Sequence, residues 1–161
     1  MFICQAVDEN DPIHGATLRW IETMSQMPQI EMVKVVTLRE GSYRLPSNVE
    51  VRCIGGQGKL PTLARFFRAT VSFLRSGVDS FFVYQGGPYP LLLLPIKLLT
   101  GKPIYQWKAH PHISRMMRFY ARVCDTIVFT STTKAFPMKL SKLRVVGQGI
   151  DTAHFDMRDT E

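Results

Sequence analysis

Apolar residues along this chain keep two different rhythms. Short unbroken runs, rich in β-branched and aromatic residues, cover residues 2–7, 33–38, 49–54, 80–85, 103–109, 125–131 and 143–146. Their length and composition predict strands. Between them, apolar positions recur every three or four residues. In residues 15–27 they are Leu18, Ile21, Met24 and Met27, which predicts an amphipathic helix. The same reasoning predicts helices over residues 60–74, 90–100 and 113–124. The clearest unit is residues 102–131, a strand, a polar tip, a helix and a second strand. A crossover of that kind makes its two strands parallel and buried.

Strands that mostly alternate with helices, each closing in Gly, Pro or polar residues, define the fold class. It is α/β, with a single Rossmann-like, doubly wound, mostly parallel sheet of about seven strands. Ligands of such sheets sit outside the carboxyl ends of the strands. The expected organisation is one domain over residues 1–155, followed by a polar tail, residues 156–161. No helix follows the final strand, so the chain reads as cut short of a further domain.

Composition narrows the picture. Hydrophobic residues make up 45% of the 161, as in a globular domain rather than a disordered chain. A formal charge of +7 favours an anionic partner such as phosphate or an anionic membrane surface. Nucleic acid is not expected, because no recognition motif is present and the aromatic residues fall in strands or on predicted buried faces. Cys4, Cys53 and Cys124 lie far apart with no CxxC pair, so they read as buried, reduced thiols of a cytoplasmic protein. Residues 1–4 enter a strand with no basic leader before it, so no signal peptide is expected. Residues 90–100 (PLLLLPIKLLT) are interrupted by Pro95 and Lys97 and fall short of the ~20 residues of a membrane span. They read as a buried helix.

Four features could carry chemistry. The turn Asp11-Pro12-Ile13-His14-Gly15-Ala16 leads into a helix, and its single Gly either lets backbone N–H groups approach a phosphate or simply makes a tight turn. Asp8, Glu9 and Asp11 lack metal-ligand spacing and read as a solvated loop. His110 and His112, held apart by Pro111, point to opposite sides without a further ligand nearby, so no metal is expected. A histidine at a strand end can hydrogen-bond a sugar hydroxyl or a phosphate, or can serve only the fold. Finally, Arg65, Arg68 and Arg75 share one helix face, with Leu63, Phe67 and Leu74 on an apolar one. Arg115, Arg118 and Arg122 share a face of a second helix, while Met116, Phe119, Tyr120 and Val123 line another. Such stripes suit anionic lipid headgroups or are ordinary solvated faces.

The succession PIYQWKAH, a helix, CDTIVFTST and a closing GQGIDTAHF resembles the N-terminal half of group 1 retaining glycosyltransferases of the GT-B fold. That family has a strand of the form D-x-hydrophobic-hydrophobic-x-x-S, matched by Asp125 to Ser131, and a last strand ending N-G-I-D-x-x-x-F, matched by Gly149, Ile150, Asp151 and Phe155. The resemblance implies transfer of a sugar from a nucleotide-sugar substrate to an acceptor, lipid-linked or polysaccharide, with no other cofactor and no metal. It further implies that this domain holds the acceptor, while a second Rossmann-like domain, in cis or in trans, holds most of the donor. Gly15 and Ala16 then approach the donor phosphate and acceptor, and His110 orients the donor sugar. His14, Gly86, Gly87, His112 and Ser131 are further donor- or acceptor-binding candidates. Two residues depart from the family pattern: His14 stands where an earlier glycine is usual, and Gln148 where an Asn is. Without the second domain the chain is expected to be inactive, cytoplasmic and peripheral at the membrane. A stand-alone, non-catalytic binding module, or a half that pairs with a partner chain, is the alternative. A small nucleotide- or flavin-binding protein would need a better phosphate loop than Gly15 or residues 55–58 provide.

Overall fold

A computed structural model describes residues 1–56, 58–85, 87–109, 115–129 and 142–146. Seven strands form one sheet: β1 (Phe2–Val7), β2 (Val33–Glu40), β3 (Val49–Cys53), β4 (Phe81–Tyr84), β5 (Ile104–Lys108), β6 (Thr126–Phe129) and β7 (Leu143–Val145). Their order is β3-β2-β1-β4-β5-β6-β7, and every neighbouring pair is parallel. The helices are α1 (Ala16–Ser25), α2 (Lys59–Arg75), α3 (Tyr89–Leu92), α4 (Leu94–Thr100) and α5 (Arg115–Val123). This is the Rossmann-like α/β architecture that the alternation of elements predicts.

The two sheet faces bury separate clusters, because successive strand residues point to opposite sides. Phe2 and Cys4 of β1 pack with Ile21 of α1, Tyr84 and Trp107. Ile3, Phe81, Val83 and Ile104 point the other way, against Phe66 and Phe73 of α2, Leu93, and Met117 of α5. On the α1 side, Tyr84 and Trp107 stack at 4.8 Å, and Trp20 of α1 lies 5.0 Å from Trp107. The edge strand β3 carries Glu50 and Arg52, which pair at 2.8 Å, and Glu50 also holds Lys34 of β2 at 2.5 Å. Charges of this kind discourage pairing with another chain at a sheet edge.

Several details differ from the sequence-based expectation. The Leu-rich stretch is two helices rather than one, since Pro95 has no N–H to continue the ladder. Its far end is not buried: Leu98 and Leu99 are 78% and 86% exposed. The buried stripe of α2 is Phe66, Ala69, Thr70 and Phe73, a regular i, i+3, i+4, i+7 set, whereas Leu63, Phe67 and Leu74 are half-buried flanks. In α5, Met117 rather than Met116 joins Tyr120 and Val123 inside, leaving Met116 and Phe119 exposed. Cys4 and Cys124 are buried, but Cys53 is exposed because it ends the edge strand. Burial pushes the Cys4 and Cys124 thiols up to about 12, so both are protonated near neutrality. No described helix is long and apolar enough to cross a membrane.

Candidate functional site

The strand order reverses between β1 and β4, the place where a doubly wound sheet opens a crevice at its carboxyl edge. One wall of this crevice is the loop from β1 to α1. Asp11 organises it: one carboxylate oxygen accepts the N–H groups of Ile13 (2.9 Å) and His14 (2.8 Å) and meets His14 Nδ1 at 3.2 Å. The other oxygen accepts from Arg39 at the end of β2, at 3.0 Å. The His14 and Ile13 backbone bonds hold the Asp11 carboxyl below its ordinary range. Gly15 donates its own N–H to the Asp11 carbonyl at 2.9 Å and is already helical, with φ of −54°. A Cβ at Gly15 would stand 3.0 Å from that carbonyl, which explains the glycine without any ligand. Two N–H groups that could face a phosphate are thus taken by the protein's own carboxylate. Ala16 is exposed as the first residue of α1.

The opposite wall is the loop after β4. Gln85 adopts φ of 65°, the one non-glycine residue with positive φ among those described, a conformation that stores strain at functional positions. Gly87 has φ of 93°, and a Cβ there would stand 2.9 Å from the Tyr89 ring and 3.3 Å from the Gln5 amide nitrogen. Glycine is therefore required both by the turn and by the approach of Tyr89. The Tyr120 hydroxyl of α5 donates to the Gly87 carbonyl at 2.7 Å and fixes this loop from the side.

On the α2 side of the sheet, beside the loop after β4, lies an open cleft of about 340 Å³. Its walls come from Gln5 of β1, Leu38 of β2, Ile54 after β3, Lys59, Thr62, Leu63 and Phe66 of α2, and Pro88, Tyr89 and Leu92 at and in α3. Burial pushes the Tyr89 hydroxyl up to about 12. Gln5 interrupts an otherwise buried strand, and its side chain forms no hydrogen bond among the described residues. The neighbouring strand behind β4 has a comparable anomaly. Gln106 of β5 is fully buried, its Oε1 meets only the Cys124 thiol at 3.9 Å, and its Nε2 has no partner. On the α1 side, the Thr17 hydroxyl and the Trp107 indole N–H are likewise buried without partners.

The structure therefore brings His14, Gly15, Ala16 and Gly87 to the carboxyl edge of the sheet. His110, His112, Gly86 and Ser131 lie outside the described residues, as do the closing residues Gly149, Ile150, Asp151 and Phe155. Of the basic stripes, Arg65, Arg68 and Arg75 are exposed along α2. Arg65 is also a fold residue, since its guanidinium donates to the Gly55 carbonyl. Arg122 is exposed beside Phe119, its guanidinium 5.9 Å from the ring centre; the side chains of Arg115 and Arg118 lie outside the description. No described group of three or more His, Cys, Asp or Glu side chains could hold a metal ion. Gln5 and Gln106 escaped the motif reading, although a glutamine inside FICQAV and inside PIYQWK was a visible signal. No family model matches this chain, and no curated protein matches it.

Proposed function

We propose that this domain holds the acceptor for a retaining glycosyltransferase that takes its sugar from a nucleotide-sugar, working with a second domain in cis or in trans. The observation that carries the reading is the crevice at the β1–β4 reversal, with an apolar cleft on one side and the Asp11–Gly15 loop on the other. In the proposed reaction the acceptor lies across this crevice, and His110, next to the end of β5, orients the donor sugar. A leaving diphosphate needs cations and N–H donors, and a sugar carbon gaining positive charge needs fixed dipoles. With no nucleophile assigned, the acceleration comes from positioning the two substrates. The domain works at a cytoplasmic membrane surface, with Arg68 and Arg75 of α2 facing anionic headgroups.

One observation favours a second reading. The Asp11 carboxylate already occupies the N–H groups of Ile13 and His14, as suits a module that binds a ligand without transferring to it. Calorimetric titration of the chain with UDP, GDP and FMN separates these readings from a free-standing nucleotide-binding protein. Millimolar or weaker affinity for all three is expected; micromolar binding of FMN would replace the acceptor-domain reading.

A further inference from the structure

The lining of the cleft is the wrong chemistry for a sugar or a base. Sugar sites converge several polar groups on one ring, whereas here Leu38, Ile54, Leu63, Phe66, Pro88 and Leu92 give the wall a mainly apolar surface. At about 340 Å³ the space lies near the lower end of the usual range for small-ligand sites, about 300–1,000 Å³. An apolar chain fits such a wall, because burying its methylenes is favourable and requires no hydrogen bond.

The rim adds a charge preference. Lys59 is exposed in the first turn of α2 and lines the cleft. That turn has no acidic residue, and Gly58 before it supplies no side-chain cap. A lysine beside the positive end of a helix is unfavourable alone and favourable once an anion stands between them. Arg65 and Arg68 extend the positive surface along the same helix, and Leu60 is 79% exposed at its start. Gln5, the one amide among the described residues of the wall, can hydrogen-bond the joint between head and chain.

We propose that this cleft holds the alkyl chain of an anionic amphiphile, with a phosphate head against Lys59 and the α2 N-terminus. On the reading given above, which this inference deepens, the amphiphile is a lipid-phosphate sugar acceptor. The test is calorimetric titration of the chain with dodecyl phosphate below its micelle-forming concentration, with inorganic phosphate and dodecanol run in parallel. Dodecyl phosphate should bind at least tenfold more tightly than either half alone. Leu63→Trp, at a half-buried wall position, should weaken it tenfold or more; Lys59→Glu, at an exposed position, should weaken it about fivefold and leave dodecanol unchanged.

NMR contacts from the alkyl chain to the methyl groups of Leu38, Leu63 and Leu92 are expected in the unmodified protein, and they decide the matter should Leu63→Trp fail to fold. Equal affinity for dodecyl phosphate and inorganic phosphate, or an alkyl chain that contacts none of these methyls, overturns the proposal. Amphiphile binding without any sugar transfer keeps the cleft assignment and removes the transferase reading. Transfer by a protein that ignores dodecyl phosphate does the reverse.

Discussion

Gln106 sits in the middle of β5 with no exposure at all, and its Nε2 has no partner. An unsatisfied buried donor costs about 1–3 kcal/mol. Methionine has nearly the shape of glutamine and adapts to irregular surroundings, so Gln106→Met removes the cost without opening a cavity or overpacking. The loss is small, since the thiol of Cys124 reaches Oε1 only at 3.9 Å, a weak contact worth a fraction of a kcal/mol. The balance is a stabilisation of about 1–2 kcal/mol. For a chain of this size each kcal/mol moves the melting temperature by about 2–4 °C, so a rise of several degrees is expected. In urea, where the slope is about 1–3 kcal/mol/M, the midpoint should rise by roughly 0.5–1 M with the slope unchanged. A fall in the midpoint at constant slope would refute the reasoning and show that the amide is satisfied by a buried water.

Two further outcomes follow from the same geometry. Tyr120→Phe removes the hydroxyl that holds the Gly87 carbonyl and should cost about 1 kcal/mol, with faster amide exchange at Gly87 and Tyr89; unchanged exchange would mean that packing alone holds the loop. Acid should unfold the domain through three carboxyls. Glu50 is held below its free value of 4.5 by Lys34, and Asp11 below 3.8 by the His14 and Ile13 N–H groups. Burial pushes Asp125 up, but Lys97 and the Ile104 N–H outweigh it and hold it below 3.8 as well. Because each folded value lies below the free one, the stabilisation is complete above about pH 5 and is lost as the pH falls through the folded values. Urea midpoints measured from pH 6 to pH 3 should drop, and less steeply in Asp125→Asn; a flat profile contradicts the assignment.

Strands were legible because a sheet covered on both faces writes itself as unbroken apolar runs, and all seven lie within a residue or two of where the sequence puts them. Helix faces were less legible where two apolar arcs compete. In α2 the set Leu63, Phe67, Leu74 and the set Phe66, Ala69, Thr70, Phe73 both avoid the arginines, and only the angle of packing against the sheet selects the second. In α5, Met116 and Met117 are interchangeable by composition, and packing of the helix into the α2-side core, beside α3, is what turns Met117 inward. The Gly15 turn was legible as a turn, but not the Asp11 carboxylate folded back onto it. The cleft could not be read, since its walls come from β1, β2, the end of β3, α2 and α3, which meet only when the sheet assembles. What the sequence did carry was a polar residue where a central strand should have none.

The measurement closest to the central claim is sugar transfer by the natural gene product, captured with an antibody to this domain and supplied with radiolabelled UDP- and GDP-sugars and membranes from its own cells. Label should move from one of these donors into an acceptor, with His110→Ala reducing the rate at least a hundredfold while leaving the melting temperature unchanged. Absence of transfer from every donor, or an undiminished rate in His110→Ala, contradicts that claim.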